Sequence, residues 1–182
     1  MFDIAFCSDL YRYPGSQPYS ERALACLLWA LIYANESYLV GTRDPVPPLY
    51  ESGVYWQEER PLGRTACPQG NGQELFLGIR QVLQQGHADC EDVCAYRVAE
   101  LRMGRAVPGR GLPPFPGHPK VTAIPPPWQG DMTPAGPDVW PGFFSRKTGP
   151  KEITLHIVVC WPDGEVEDPS RMLGMGGARR FG

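Results

Sequence analysis

The chain has 182 residues, a hydrophobic share of 42% and a formal net charge of −3, which fit one globular domain with its own core. The small negative charge argues against nucleic-acid binding, because phosphate recognition needs a concentrated basic surface. Six cysteines contain no CxxC pair, and Met1–Ser8 lacks the basic start of a signal peptide, so we expect free thiols in a reducing compartment.

Two helices are predicted in the first half of the chain. The apolar run Ala23–Ala34, preceded by the capping residue Ser20, is too short to cross a bilayer and fits a buried helix, so no membrane span is expected. A stretch rich in turn residues follows, with room for one short strand. Apolar residues then recur at helical spacing from Leu75 until Gly86 stops the second helix.

A third helix is predicted from Asp89 or Cys90 to about Met103. Asp89 suits the N-cap, and Asp92 supplies an acidic partner three residues later. Cys90 then lies at the positive end of the helix dipole, which lowers the pKa of a thiol, although the neighbouring carboxylates oppose this effect. An activated thiol therefore needs a basic partner from elsewhere in the chain.

Two other interpretations of Cys90 stay open from this segment. Cys90, Cys94, Val98 and Leu101 share one helix face, and cysteines on such a face are usually core residues. Alternatively, His87, Cys90 and Cys94 could converge on zinc, but a fourth ligand and a CxxC knuckle are missing from the neighbourhood. Cys94 belongs to the core if Cys90 is a nucleophile and also if it is not.

Residues 104–150 hold 12 of the 21 prolines and eight of the 21 glycines. Such a composition excludes continuous helix or sheet. We therefore predict a long Pro/Gly-rich insertion in loop conformation, with a single strand at Val121–Ile124.

The clearest strand signal is the alternating segment "EITLHIVVCW", which contains His156. A histidine inside a strand is more often structural than catalytic, so a catalytic role requires a partner. Asp168, on the segment that returns after the "PDG" turn, is the candidate.

The turn decides whether Asp168 reaches His156. Pro162 favours a three-residue hairpin loop that ends in a left-handed glycine and pairs Cys160 with Val166. His156 and Asp168 then share one face of the sheet. A two-residue loop would shift the register by one and move the carboxylate to the opposite face.

These residues together supply the chemistry of an activated cysteine. His156 would take the thiol proton of Cys90 and later return a proton to a leaving amine. Asp168 would fix the tautomer of the imidazole and favour its charged form.

Three stretches resemble the transglutaminase-like branch of the papain-like cysteine peptidase superfamily, in particular its compact bacteriophage-encoded versions. They are "PPLYESGVYWQEE" (47–59), "GHADCEDVCAYRVAELR" (86–102) and "LHIVVCWPDGEVEDPSRMLGM" (155–175), of which the third is the most specific. The resemblance implies an α+β fold in which a nucleophile-bearing helix packs on a small antiparallel sheet. It implies a single transglutaminase-like domain over residues 1–182, with 104–150 as the insertion.

The resemblance also implies the roles of the site residues. Cys90 is the nucleophile, His156 the base and Asp168 the orienting acid, without a metal or a cofactor. The backbone N–H of Cys90 is one oxyanion donor. The alternatives for a side-chain donor are Gln84, Gln57 and Trp56. His87 is either an additional active-site group or a residue at the rim.

The expected function is acyl transfer from a protein or peptide amide, with a peptidase or amidase as the default and a transglutaminase or deamidase as variants. A different hypothesis is a structural or assembly protein of a virion head or tail that keeps the peptidase-like scaffold and binds other virion proteins. A zinc-binding module is a third. The expected location is the host cytoplasm or the virion.

Overall fold

The computed structural model describes the residues 5–8, 21–58, 74–105, 121–126, 136–147 and 153–176. Within them, helices combine with a small antiparallel sheet, which confirms the α+β class. Cys67, His118 and the Arg179–Arg180 pair lie outside the described residues.

The helices and strands follow one another in an order that mixes both types. They are β1 (Ala5–Ser8), α1 (Glu21–Gly41), β2 (Tyr55–Trp56), β3 (Glu74–Leu77), α2 (Ile79–Gln85), β4 (His87–Ala88), α3 (Cys90–Arg102), β5 (Thr122–Ala123), β6 (Trp140–Lys147), β7 (Ile153–Cys160), β8 (Val166–Glu167) and α4 (Pro169–Met172).

The main sheet has the strand order β5-β6-β7-β8, with antiparallel neighbours throughout. Two smaller pairings accompany it: β1 runs antiparallel to β3, and β2 runs parallel to β4. Helix α3 packs against β7 on one side and against α1 on another. Helix α3, which begins at Cys90, therefore lies between the sheet and the long first helix.

Helix α3 is buried on all sides, since every residue from Glu91 to Arg102 is buried. The predicted core face is confirmed at Cys94, Val98 and Leu101. The opposite face, which carries the charged residues, is buried as well. Buried charges are tolerated where partners compensate them, and ionic partners for these side chains come from other elements.

Helix α1 is 21 residues long and extends well beyond the predicted apolar run. Its C-terminal half contains polar residues that are buried because they have partners. Asn35 Oδ1 accepts the backbone N–H of Ile79 at 2.9 Å, and Glu36 Oε1 lies 2.7 Å from Nε of Arg102. The segment Leu24–Gly41 is long and apolar enough to cross a membrane, and 44% of it is buried inside the protein.

The prediction that residues 104–150 form loops apart from Val121–Ile124 is wrong over Trp140–Lys147, while 106–120, 127–135 and 148–150 lie outside the described residues. Strand β5 lies at the predicted place, but β6 is an eight-residue strand that pairs with β7 along its whole length. Pro141 and Gly142 inside β6 suggested a loop. The stretch thus supplies an inner strand of the main sheet.

Gly142 is required by the close packing of β6 against its neighbours. A Cβ at this position would overlap the sulfur of Cys160 and lie 2.9 Å from Cγ1 of Val121. The glycine that weakens the strand pattern in the sequence is therefore the residue that lets the strands come together.

The second predicted helix begins later than expected. Residues Glu74–Leu77 form β3, and α2 starts at Ile79, although Gly86 ends it in the left-handed conformation (φ 74°) as predicted. The backbone N–H of Leu77 donates to Oδ1 of Asp92 at 2.7 Å. This tertiary hydrogen bond holds the end of the strand and is invisible in the local sequence.

The hairpin register is the predicted one. Cys160 pairs with Val166, and Val159 pairs with Glu167. Gly164 closes the loop in the left-handed conformation with φ 86°. The three-residue loop thereby brings Asp168 to the face of the sheet that carries His156.

Candidate functional site

His156 and Asp168 are in direct contact. The imidazole Nε2 lies 2.9 Å from Oδ2 of the carboxylate, with the histidine side chain 12% exposed and the aspartate side chain fully buried. The contact follows from the hairpin register, since the three-residue loop places the two side chains diagonally across the strands.

The second oxygen of Asp168 is also engaged. Asp168 is the N-cap of α4, and its Oδ1 accepts the backbone N–H of Arg171 at 3.2 Å, while Pro169 occupies the first helical position. Both oxygens therefore have donors. The helix cap fixes the orientation of the carboxylate that faces the imidazole.

The contact with Asp168 determines which imidazole nitrogen is available for chemistry. A carboxylate at Nε2 favours the tautomer that carries its proton there, which leaves Nδ1 as the acceptor. The Phe144 ring lies 5.1 Å from the His156 ring at an angle of 59° and packs against it. The imidazole is thus held by a charge at one edge and by an aromatic ring beside it.

Cys90 lies at the first position of α3 and is partly buried. The backbone N–H of Ile157, the residue after His156 on β7, acts on the Cys90 sulfur and lowers its pKa. Cys90 therefore lies next to the strand that carries the predicted base, but among the described residues its sulfur is hydrogen-bonded to Glu91 and not to the His156 imidazole.

The pKa of the Cys90 thiol is raised well above its ordinary value. Burial is the largest cause, followed by the carboxylates of Glu91 and Asp89, while the N–H of Ile157 acts in the opposite direction. The thiol donates to Oε2 of Glu91 at 3.1 Å. Burial and carboxylates thus outweigh the helix dipole, so Cys90 carries a thiol at rest and not the thiolate that its helix position favours.

The predicted capping arrangement around Cys90 is formed only in part. Asp89 occupies the N-cap with extended backbone, but its side chain makes no capping hydrogen bond. Oδ1 of Asp92 accepts the backbone N–H of Leu77, so this carboxylate joins α3 to the end of β3.

The three alternatives for a side-chain oxyanion donor differ in their surroundings. Gln57 and Gln84 are exposed, and Oε1 of Gln57 accepts the hydroxyl of Tyr55. Trp56 pairs with Ala88 on the strand that leads into Cys90, and its buried indole N–H has no hydrogen-bond partner among the described residues. A buried N–H without an acceptor costs free energy. Of the three alternatives, Trp56 is therefore the side chain that would gain most from donating to an oxyanion.

His87 lies on β4 beside the exposed Tyr55 of β2, with the two ring centres 5.7 Å apart. This places it at the surface edge of the β2–β4 pair. Cys94 is oriented differently, because its sulfur donates to the carbonyl of Val158 in the core at 3.1 Å. In the part of the chain that the structure describes, no three His, Cys, Asp or Glu side chains converge on a metal site, so the zinc hypothesis has no geometric support.

Sequence reasoning missed a buried ionic network beside the site. Arg97 Nε lies 2.6 Å from Oε1 of Glu167, and an Nη atom of Arg97 lies 2.5 Å from Oε1 of Glu100. The spacing of Arg97 and Glu100 by three residues on one helix is the local signal that could have revealed this pair. The long-range partner Glu167 has no local signal.

No family model matches the chain, and neither a curated protein nor a solved structure is significantly similar to it.

Proposed function

We propose that the protein is a cysteine-dependent acyl-transfer enzyme of the transglutaminase-like, papain-like type that acts on protein or peptide amides. Cys90 is the nucleophile, His156 the base and Asp168 the orienting acid. The observation that carries the proposal is the 2.9 Å contact between Nε2 of His156 and Oδ2 of Asp168. It lies beside Cys90, because the backbone N–H of Ile157, the residue after His156, lowers the pKa of the Cys90 thiol.

The first step is attack of the Cys90 sulfur on the amide carbonyl carbon. The thiol proton passes to Nδ1 of His156 as the C–S bond forms, because the raised thiol pKa leaves that proton in place until then. Asp168 stabilises the imidazolium through Nε2. The oxyanion accepts hydrogen bonds from the backbone N–H of Cys90 and from the indole N–H of Trp56.

The second step releases the amine and then the acyl group. The imidazolium of His156 returns its proton to the leaving amine as the C–N bond breaks, and a thioester remains on Cys90. Water then attacks the thioester carbonyl carbon while His156 takes one of its protons, and as the C–S bond breaks His156 returns that proton to the Cys90 sulfur and a carboxylic acid leaves. A primary amine in place of water gives transamidation with the same proton transfers.

The proposal is tested by acylation with 4-nitrophenyl acetate, followed by peptide mapping. We expect one thioester at Cys90, while the exposed thiol of Cys26 serves as the reference within the same protein. His156→Ala should slow the acylation of Cys90 by roughly a hundredfold or more, the usual contribution of a general base. Acylation of Cys90 at the rate of Cys26, or unchanged in His156→Ala, would contradict the proposal.

A second candidate function is that of a virion assembly protein that keeps the peptidase-like scaffold. It relied on a loop-like insertion and on the apolar first helix, but β6 of that insertion belongs to the main sheet. Failure of Cys90 to acylate in a correctly folded protein, together with its presence in purified particles, would favour this alternative.

A further inference from the structure

The buried ionic network connects the helix of the nucleophile to the segment that carries the orienting acid. Arg97 lies on α3 about two turns after Cys90, and Glu167 immediately precedes Asp168. The side chains of Arg97 and Glu167 are 3% and 1% exposed. Their 2.6 Å ion pair is thus a buried bridge between the two parts of the proposed active site.

Glu167 is held by more than one group. Its Oε1 accepts the hydroxyl of Tyr50 as well as Nε of Arg97, and its Oε2 accepts the indole N–H of Trp161 at 3.2 Å. Burial and then the Glu167 carboxylate raise the pKa of Tyr50, so its hydroxyl keeps its proton and donates. Both oxygens of Glu167 are therefore fixed.

Arg97 is held on its other side. Its guanidinium contacts Glu100, and Oε2 of Glu100 accepts the backbone N–H of Leu49 at 2.8 Å. The guanidinium also lies 4.6 Å above the ring of Tyr50. Since a buried ion pair is rigid only when its remaining groups are satisfied, these contacts make the bridge a fixed link.

We propose that Arg97 and Glu167 are positioning residues that hold Asp168 against His156 at the correct distance from Cys90. The inference rests on the proposed function. Glu167 is bonded to α3 and Asp168 to β7, so the two neighbouring residues fasten one short segment to both elements. A change in the bridge then moves the carboxylate relative to the imidazole without removing any group that touches substrate.

A matched control is available on the same helix. Arg102 Nε forms a second buried ion pair with Glu36 Oε1 at 2.7 Å, and this pair leads to α1 and not to the site. Glu167→Gln and Glu36→Gln each remove one buried charge opposite an arginine of α3. If the ion pair of Arg97 and Glu167 only stabilises the fold, both variants should change the acylation rate of Cys90 to the same extent.

The experiment compares the 4-nitrophenyl acetate acylation rate of Cys90 over pH 5–9 in the intact wild-type chain, Glu167→Gln, Glu36→Gln and His156→Ala. Circular dichroism fixes a temperature at which all four are folded. We expect Glu167→Gln to lower the rate by about tenfold or more and to shift the inflection of the pH profile, because small displacements cost large factors in rate. Glu36→Gln should stay within about twofold of wild type with the same inflection.

The outcomes separate the two proposals. If His156→Ala slows acylation but Glu167→Gln behaves like Glu36→Gln, the positioning role is overturned and the proposed function stands. If His156→Ala has no effect, the proposed function fails and the positioning role fails with it. If Glu167→Gln does not fold, Trp161→Phe replaces it, since it removes one hydrogen bond to Glu167 without a change of charge. An unchanged pH profile in Trp161→Phe would then overturn the inference.

Discussion

Asp168 bonds to two elements with its two oxygens: Oδ2 lies 2.9 Å from Nε2 of His156, and Oδ1 accepts the backbone N–H of Arg171 at 3.2 Å. One carboxylate thus orients the imidazole and caps α4. A substitution at Asp168 that keeps one of these contacts and removes the other can distinguish the proposed catalytic role from the contribution to stability.

Asp168→Asn should preserve the cap, because asparagine is a good N-cap residue, but lower the acylation rate of Cys90 by about a hundredfold or more. The amide nitrogen would donate to Nε2 of His156 and leave the proton on Nδ1, where the base is needed. Asp168→Ala should lose about 1 kcal/mol of further stability with the cap. Urea denaturation and acylation kinetics measure the two effects. Wild-type acylation by Asp168→Ala would contradict this role.

Glu91→Gln should increase the reactivity of the Cys90 thiol. Burial remains in the variant, but the nearest of the two carboxylates that raise the pKa of Cys90 is neutralised, so the pKa falls. Alkylation of Cys90 by iodoacetamide at pH 8 should become faster, by about tenfold for each unit by which the thiol pKa falls. The control is Glu165→Gln, which changes an exposed carboxylate. If Cys90 is alkylated no faster in Glu91→Gln than in this control, Glu91 does not raise the pKa of the thiol.

Gly142→Ala should destabilise the protein by about 1–3 kcal/mol, the usual cost of overpacking. The new methyl group would meet the sulfur of Cys160. Cys160→Ala removes that sulfur, so the double variant should lose less stability than the sum of the two single variants. Urea denaturation of all four proteins measures the coupling, and simple additivity would argue against the contact.

The stability of the protein should fall at alkaline pH in part because of Cys160. Burial raises the pKa of this thiol to about 11 in the folded protein. A thiol that binds its proton more tightly when folded stabilises the fold below its unfolded pKa of about 8.5 and loses this contribution as the pH rises towards 11. The urea midpoint should therefore drop less between pH 9 and 11 in Cys160→Ala than in wild type. Cys26→Ala, which removes an exposed thiol, should follow wild type, and equal slopes for all three would refute the assignment.

Local turn chemistry made the hairpin predictable. Pro162 and Gly164 each have a strong conformational preference, and together they select one loop length and hence one register. The contact between His156 and Asp168 follows from that register. The start of α3 at Cys90 was accessible for the same reason, since a helix cap is a local signal. The α+β class was implied by the resemblance of three stretches to the papain-like superfamily.

The parts that could not be predicted depend on distant partners. Strand β6 contains Pro141 and Gly142, and the neighbouring atoms of Cys160 and Val121 explain why a glycine belongs there. Helix α1 continues beyond the apolar run to Glu36, a buried acid that is paired with Arg102 from another helix. A pattern along one segment carries no information about such partners.

The sign of the Cys90 pKa shift was left open by the sequence for a related reason. The acids beside the cysteine are visible in the sequence, but their weight against the helix dipole depends on burial. In the fold, burial is the largest influence, and Glu91 lies within hydrogen-bond distance of the sulfur.

The all-round burial of α3 has a consequence for how related chains diverge. Removing one partner of a buried ion pair leaves a costly charge, whereas replacing all partners by apolar residues is often tolerated. Arg97, Glu100 and Glu167 should therefore be inherited or lost as a set, although the last is 70 positions from the first. Their joint presence, more than any single residue, is the mark by which relatives of this chain should be sought.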